Sequence, residues 1–179
     1  MRVIAGTARG VPLDAPRDRS TRPITDRVKE TLFGILGPRV PGAAFLDLYA
    51  GSGAIGIEAL SRGAARATLV ERHRDAVAVI RSNLARTRLA EGAAVHAEPV
   101  ERFLERPGED RYDIVVLDPP YAERAILAPL SGLAPLLAPR AMVVVKHFWR
   151  TELPRVEGLV PIRQRRFGET MLTFLEADR

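Results

Sequence analysis

Residues 45–60 have the sequence FLDLYAGSGAIGIEAL, the strongest indication of fold in the 179-residue chain. A short apolar segment leads into three glycines (Gly51, Gly53 and Gly56), and a helical pattern follows. This order predicts a buried strand, a tight turn and a helix. A glycine turn at the carboxyl end of a parallel strand lets a ligand approach the backbone, and the free amides at the helix start point at that ligand. The stretch therefore predicts a binding site for an adenosine-like molecule.

Strand and helix patterns alternate along the chain after residue 42. The predicted strands are 43–49, 67–70, 93–96, 112–117 and 141–146. The predicted helices are 54–61, 75–87, 100–104 and 126–137, the last one bent by Pro129 and Pro135. A closing antiparallel hairpin is predicted from 159–167 and 170–175. The alternation indicates an α/β fold, with a mostly parallel seven-stranded sheet covered by helices on both faces.

The first forty residues form a basic segment. They carry eight basic and four acidic side chains, which accounts for nearly the whole net charge of +5. Arginine supplies 25 of the 27 basic residues, a bias that a GC-rich genome also produces, but its concentration here favours a polyanionic partner such as nucleic acid. We therefore predict a basic N-terminal extension (1–40) and one α/β domain (41–179).

Two elements are predicted within this extension. Residues 2–14 have short apolar pieces around a glycine-containing turn, which predicts a hairpin with Arg9 at its tip. Residues 25–36 place apolar side chains on one helical face, which predicts an amphipathic helix that Thr25 or Asp26 can cap. Basic residues near the start of this helix oppose the helix dipole, so they favour a role toward a partner.

The composition excludes several classes of site. The chain has no cysteine, which excludes disulfides, thiolate metal sites and a cysteine nucleophile. Its three histidines are scattered without the spacing of metal ligands, so no metal is expected. The sequence shows neither a signal peptide nor an apolar run long enough for a membrane span, so we expect a cytoplasmic protein. No exposed apolar stripe stands out, and a monomer is the default expectation.

The glycine spacing fits two classes of cofactor. With Glu71 following Gly51 by twenty residues, it matches the fingerprint of dinucleotide-binding enzymes. Asp47, however, precedes the first glycine by four residues, where a carboxylate would repel a pyrophosphate. That charge suits a cofactor with a cationic amino-acid tail and no phosphate. Glu71, at the end of the second predicted strand, can accept hydrogen bonds from both ribose hydroxyls in either class.

Three segments together resemble the motifs of class I S-adenosylmethionine-dependent methyltransferases. They are LDLYAGSGAIGIEAL at 46–60, LVER at 69–72 and VVLDPPY at 115–121. The resemblance implies the class I methyltransferase (Rossmann-like) fold. It also implies S-adenosylmethionine as the cofactor, S-adenosylhomocysteine as the product, and no metal.

The resemblance also implies roles for particular residues around the cofactor. Asp47 and the glycine turn would hold the methionine end, and Glu71 would hold the ribose. The neighbourhood of Glu98 would flank the adenine, although the family often uses a backbone amide at the next position and Pro99 has none. The expected cofactor-binding residues are Asp47, Ala50, Gly51, Gly53, Glu71, Arg72, Glu98, Pro99 and Asp118.

The tetrapeptide Asp118, Pro119, Pro120 and Tyr121 is the predicted catalytic group. An exocyclic amine that attacks a sulfonium methyl must become more tetrahedral, and hydrogen-bond acceptors at its two N–H groups favour that change. Asp118 supplies a carboxylate, and the prolines fix the direction of the Pro119 carbonyl. Tyr121 offers a face on which a flipped base can stack, worth about 1–3 kcal/mol. This chemistry needs no metal and no covalent intermediate.

Three further segments narrow the substrate. RVIAGTARGVPL at 2–13, TRPITDRVKETLFGIL at 21–36 and RRFGETMLTFL at 165–175 resemble the RsmD family, which methylates the exocyclic N2 amine of a guanine in 16S ribosomal RNA. The resemblance implies 16S rRNA, free or within the 30S subunit, as the partner. The expected RNA-binding residues are Arg2, Arg9, Arg22, Arg27, Lys29 and Arg165.

Three other functions fit parts of the pattern. A DNA adenine or cytosine amine methyltransferase would use the same tetrapeptide, but the chain has no room for a separate target-recognition domain. A nicotinamide-dependent oxidoreductase would use the glycine turn and would give no role to Asp118 or Tyr121. A non-catalytic RNA-binding factor of ribosome assembly would need neither of those side chains, yet both are present.

Overall fold

The computed structural model describes residues 1–16, 24–106, 110–119 and 129–178. In these ranges the helices are α1 (Asp26–Leu36), α2 (Ala54–Ser61), α3 (Arg74–Thr87) and α4 (Val100–Leu104). The strands are β1 (Ala44–Leu48), β2 (Arg66–Val70), β3 (Ala93–His96), β4 (Tyr112–Leu117), β5 (Leu137–Phe148), β6 (Leu159–Phe167) and β7 (Thr170–Ala177). Short 3-10 turns lie at Gly37–Arg39, Ala90–Gly92 and Ala134–Leu136.

The seven described strands form one sheet in the order β3-β2-β1-β4-β5-β7-β6. The first five strands in this order are parallel, and β7 inserts antiparallel between β5 and β6. The chain starts at the centre with β1, moves outward to β3, and returns to β4 on the other side of β1. This reversal leaves a crevice at the carboxyl ends of β1 and β4. The predicted α/β fold with a mostly parallel seven-stranded sheet is confirmed.

Both faces of the central strands are buried, whereas β6 at the edge of the sheet is exposed over most of its length. On one face, Phe45 of β1 belongs to a core with Phe33 of α1 and Ile80 of α3. On the other face, Leu46 of β1 belongs to a second core with Phe103 of α4. Because successive side chains of a strand point to opposite faces, a stretch of strand covered on both sides is apolar on both faces, as residues 114–117 of β4 are.

The N-terminal hairpin packs on α2. Its ends meet in an antiparallel bridge between Arg2 and Pro12, as predicted. At its turn, the amide of Thr7 donates to the carbonyl oxygen of Ser61 over 2.8 Å. A Cβ on Gly6 would lie 1.7 Å from that same oxygen, so only glycine fits here. The extension therefore shares the core of the α/β domain.

Helix α1 begins with a side-chain cap. Thr25 Oγ1 accepts a hydrogen bond from the amide of Val28 over 3.3 Å, so Thr25 rather than Asp26 is the cap. The helix ends at Leu36, just before Gly37, which has a φ of +44°. The predicted amphipathic helix and its end are thus confirmed.

The segment before β5 differs from the prediction. Helix was expected to residue 137, but only 129–132 are helical among its described residues, and the first part of the expected helix lies outside the described ranges. Pro135 lacks the N–H that a continuing helix needs, and it sits in a 3-10 turn. Strand β5 then starts at Leu137, four residues earlier than expected, because a register shift lets its first residues pair with Tyr112.

Candidate active site

The two motifs that the sequence analysis singled out meet at the crevice of the sheet. Leu48 at the end of β1 pairs with Leu117 at the end of β4. The amide of Asp118 continues this pairing, since it donates to the carbonyl of Leu48 over 3.2 Å. The reversal in strand order therefore brings Asp118 beside the turn that follows β1.

The three glycines of the turn have different reasons to be glycine. A Cβ on Gly56 would lie 2.9 Å from Leu69, and one on Gly53 would lie 3.2 Å from the same side chain, so both let α2 pack closely on β2. Gly51 has a φ of +56°, and a Cβ there would meet nothing closer than the carbonyl of Tyr49 at 4.0 Å. Gly51 thus leaves open space, which a ligand can use.

Asp47 is buried in β1 and only half satisfied. Its Oδ2 accepts a hydrogen bond from the amide of Gly56 over 2.9 Å, while Oδ1 has no partner among the described residues. Burial raises the pKa of Asp47 to about 8, and the charges of Asp118 and Glu71 add to this rise while the Gly56 amide opposes it. An unpaired buried oxygen of this kind fits a cationic group such as an ammonium.

Glu71 joins the end of β2 to the glycine turn. Its Oε2 accepts from the amide of Gly51 and its Oε1 from the amide of His73, each over 2.9 Å. A carboxylate oxygen has two acceptor positions, so each oxygen keeps one for a further donor. The side chain is therefore held in place with the capacity for two hydroxyl groups.

The other residues predicted to bind the cofactor follow the ends of β1, β2 and β3. Ala50 is buried in the turn, and its amide donates to the carbonyl of Val70 over 3.0 Å. Arg72 is exposed. Pro99 directly precedes α4 and is exposed, and Glu98 before it is buried with Arg106 Nη2 3.0 Å from Oε2. Glu98 Oε2 nevertheless has no hydrogen-bond partner among the described residues.

Asp118 is paired with a lysine that the sequence analysis missed. Lys146 of β5 places its Nζ 2.7 Å from Asp118 Oδ1 and 2.9 Å from Oδ2. Burial raises the pKa of Asp118, and the Lys146 ammonium opposes this rise. A signal was present: the chain has two lysines among 27 basic residues, and this one lies inside a buried strand. Pro119 is buried, while the predicted residues Pro120 and Tyr121 lie outside the described ranges.

The structure describes five of the six basic residues that were predicted to bind RNA. Arg2, Arg9, Arg27 and Arg165 are exposed. Arg22 lies outside the described residues.

The prediction for Lys29 is wrong. Its side chain is fully buried, with Nζ 3.2 Å from Glu58 Oε2 and 2.5 Å from the carbonyl of Arg2. A buried ammonium that is already paired cannot reach a phosphate. Lys29 instead holds the extension against α2.

The structure shows no metal centre and no membrane helix in the parts of the chain that it describes. No three histidine or acidic side chains come together there as metal ligands. His147 is buried, with Nε2 2.8 Å from Thr173 Oγ1. None of the helices in the same ranges is long and apolar enough to span a bilayer.

A family model described as "Conserved hypothetical protein 95" matches residues 1–176. The chain is 39% identical over 159 residues to ribosomal RNA small subunit methyltransferase D of Escherichia coli K12, covering 87% of this chain and 79% of that protein. It is also 39% identical over 175 residues to the YlbH protein of Bacillus subtilis, covering 95% of each.

Solved structures agree with these sequence relatives. The structure of YhhF from Escherichia coli is 35% identical, with a TM-score of 0.90 over 99% of this chain and 98% of that one. A hypothetical protein of Thermus thermophilus is 39% identical, with a TM-score of 0.82 over 97% of this chain and 98% of that one. The fold, the meeting of the glycine turn with Asp118, and these relatives agree, and the chain belongs to the RsmD family of methyltransferases.

Proposed function

We propose that this chain transfers the methyl group of S-adenosylmethionine to the exocyclic N2 amine of a guanine in 16S ribosomal RNA. The observation that carries the proposal is the position of Asp118, whose carboxylate lies at the crevice beside the glycine turn. The Escherichia coli relative is named a ribosomal RNA small subunit methyltransferase, which supports the class of substrate. The choice of guanine follows the family resemblance of the extension and the final hairpin.

The residues around the turn fit S-adenosylmethionine, which supplies a methyl group on a cationic sulfur when bound. The unpaired Oδ1 of Asp47 suits the ammonium of the methionine end. The open space at Gly51 lets the chain of the cofactor pass close to the backbone. The two spare acceptor positions of Glu71 suit the ribose hydroxyls.

Asp118 is the residue that acts on the substrate amine. Its carboxylate accepts a hydrogen bond from one N–H of the amine and stabilises the positive charge that develops on the nitrogen. In our proposal the Pro119 carbonyl accepts from the second N–H, and Tyr121 stacks on the base. The transferred methyl replaces one of the amine protons, and that proton leaves by way of the carboxylate or water.

RNA contacts are assigned to exposed arginines of the extension and of β6. Arg2, Arg9 and Arg27 belong to the extension, which packs on the helix following the glycine turn. In the sheet, Leu172 pairs with both Lys146 and Arg165, so these residues form one row across it. Adjacent strands lie about 4.8 Å apart, so the Cα atoms of Lys146 and Arg165 are about 10 Å from each other. Such arginines would position the RNA through its phosphates, without reading its sequence.

The test uses tritiated S-adenosylmethionine with two substrates: naked 16S rRNA, and 30S particles purified from cells that lack this methylation. The RNA is digested and the labelled nucleoside is identified by chromatography. We expect the label in 2-methylguanosine. Label in another base would keep the chemistry and overturn the choice of guanine. Binding of the cofactor without label in either substrate would overturn the proposal.

A further inference from the structure

We infer that Lys146 is a positioning residue: its ammonium keeps the Asp118 carboxylate charged and fixed, so that it accepts a hydrogen bond from the substrate amine. This role rests on the proposed function of Asp118. Lys146 itself touches neither substrate nor cofactor in this assignment. It acts through the carboxylate that it holds.

The first support is the geometry of the pair. Lys146 Nζ lies 2.7 Å from Oδ1 and 2.9 Å from Oδ2, so one ammonium contacts both oxygens and fixes the plane of the carboxylate. The backbone of Lys146 is held on both sides, since β5 pairs with β4 and with β7. The position of the ammonium is therefore set by the sheet and not by a loop.

The second support is the charge around Asp118. The acidic neighbour of Asp118 on β1 is Asp47. The negative charges of Asp118 and of Glu71, which follows β2, both raise the pKa of Asp47. Lys146 on β5 is the cation that contacts Asp118 among the described residues. Burial raises the pKa of Asp118, so without the ammonium the carboxyl would hold a proton at higher pH than it does now.

The charge state decides whether Asp118 can act. A protonated carboxyl has an O–H donor that would meet the N–H of the amine, whereas a carboxylate offers only acceptors. Each carboxylate oxygen has two acceptor positions, and Lys146 takes one on each. One position on each oxygen remains, and the Asp118 side chain is 21% exposed, so the amine can reach it.

A purely structural ion pair would join β4 to β5 in the same way. It predicts that loss of Lys146 lowers stability and slows methyl transfer equally at every pH. A positioning role predicts a change in pH dependence, because the missing charge alters the pH at which Asp118 ionises. The two roles are therefore separable.

The experiment compares Lys146→Met and Lys146→Arg with the wild type in single-turnover methyl transfer to 16S rRNA between about pH 5.5 and 9.5. We expect Lys146→Met to move the acid limb of the pH–rate profile to higher pH by about one unit or more. At a pH on that limb the rate then falls about tenfold, whereas at high pH it falls much less. Lys146→Arg retains the charge and should keep the wild-type limb, even if its different shape lowers the rate. Affinity for S-adenosylhomocysteine, expected within a few-fold of wild type, checks that each variant is folded.

If the acid limb of the pH–rate profile of Lys146→Met lies at the same pH as that of the wild type, the inference is overturned. If Lys146→Met loses S-adenosylhomocysteine binding, Lys146→Gln takes its place. Titration of the Asp118 carboxyl by carbon NMR, assigned with Asp118→Asn, gives the same answer without turnover, because Lys146→Met should raise its midpoint. If the wild-type protein methylates no RNA but Lys146→Met raises the midpoint of the Asp118 titration, the proposed function is contradicted. The electrostatic role of Lys146 is then still supported. An unchanged midpoint would overturn that role.

Discussion

The two lysines of this chain are both buried against a carboxylate, yet the two ion pairs have different surroundings. Lys29 and Glu58 have side chains that are 0% exposed, whereas those of Lys146 and Asp118 are 8% and 21% exposed. The first pair lies where the extension meets α2. The second lies at the crevice where β1 and β4 end.

The decisive difference is the spare hydrogen-bonding capacity of each carboxylate. Glu58 accepts from the amides of Ile4 and Ala5 over 2.8 and 3.0 Å and from Arg62 Nε over 2.8 Å, and Lys29 Nζ lies at 3.2 Å. Four donors on two oxygens leave no position for a ligand. Asp118 has an acceptor position left on each oxygen beyond its contact with Lys146. A saturated pair holds the fold, and an unsaturated pair at an open edge can hold a substrate.

The saturated pair nevertheless matters for the site, because it fixes the extension relative to the glycine turn. Asn83 of α3 reinforces this arrangement. Its Nδ2 donates to the carbonyls of Asp14 and Ser52 over 3.0 Å each, and its Oδ1 accepts from the amide of Asp14 over 2.9 Å. The extension and the turn therefore form one framework.

The largest expected effect comes from the unsaturated carboxylate. Asp118→Asn removes the charge that faces the amine, and we expect the single-turnover rate to fall about 100-fold to 1,000-fold. Affinity for S-adenosylhomocysteine should stay within a few-fold. Asp113→Asn is the matched control, since Asp113 lies in β4 and is exposed, and the asparagine Oδ1 can keep the hydrogen bond that the Asp113 carboxylate accepts from the amide of Ala44 over 2.8 Å. Loss of cofactor binding as severe as the loss of rate would make Asp118 a cofactor or folding residue instead.

The saturated carboxylate should affect stability and not chemistry. Glu58→Gln replaces one acceptor oxygen with an NH₂ group, which then faces the donors that this oxygen accepted from. We expect the free energy of unfolding to fall by about 3–5 kcal/mol. Urea denaturation measures this, with Glu30→Gln on the exposed side of α1 as the control. The methyl-transfer rate of the folded fraction should hardly change. A stable Glu58→Gln variant with a large loss of rate would reverse the comparison.

The third expected effect concerns the pH dependence of cofactor binding. Free Asp47 has a pKa raised to about 8, so it is protonated at neutral pH, and an ammonium partner favours its charged form. Binding must then release a proton, and affinity for S-adenosylhomocysteine should rise with pH, by up to about tenfold per unit, until about pH 8. Calorimetry in two buffers of different ionisation enthalpy measures the proton release. Asp47→Asn should abolish the proton release that comes from this residue. An unchanged proton release in that variant would contradict the assignment of Asp47 to the ammonium of the cofactor.

The smallest effect should come from the exposed arginines. Replacement of Arg9 and Arg27 by Glu is expected to weaken RNA binding several-fold and to reduce the slope of log affinity against log salt by about 1 to 2. Cofactor affinity should be unchanged. Arg111→Glu, at the amino end of β4 and thus at the opposite edge of the sheet, is the control. Equal losses in the pair and in the control would mean that only total charge matters.

Much of the fold could be predicted because its local signals are strong. The glycine turn, the alternating elements and the cap at Thr25 are properties of short segments. The start of β5 at Leu137 could not be predicted, because it depends on a register shift against Tyr112. A shift of this kind arises from contacts between distant segments.

The site shows the same division between local and distant signals. Asp47, near the end of β1, and Glu71 and Asp118, directly after β2 and β4, could be placed at one edge of the sheet because the carboxyl ends of parallel strands meet there. Lys29 was misassigned from its charge, although Lys29, Leu32, Phe33 and Leu36 have the spacing of one helical face. Lys146 was missed because the sequence of one strand does not reveal which other strand pairs with it, and it is the pairing of β5 with β4 that brings Lys146 next to Asp118.

The most direct test of this comparison uses the fact that the chain has two lysines. With [¹⁵Nζ]lysine labelling, an NMR spectrum contains two ammonium signals, which Lys29→Arg and Lys146→Arg assign. We then add S-adenosylhomocysteine and an unmethylated 16S rRNA fragment that contains the target guanine. Our account predicts that the Lys146 signal shifts and the Lys29 signal stays in place. A shift of Lys29 with Lys146 unchanged, or binding that moves neither signal, would contradict it.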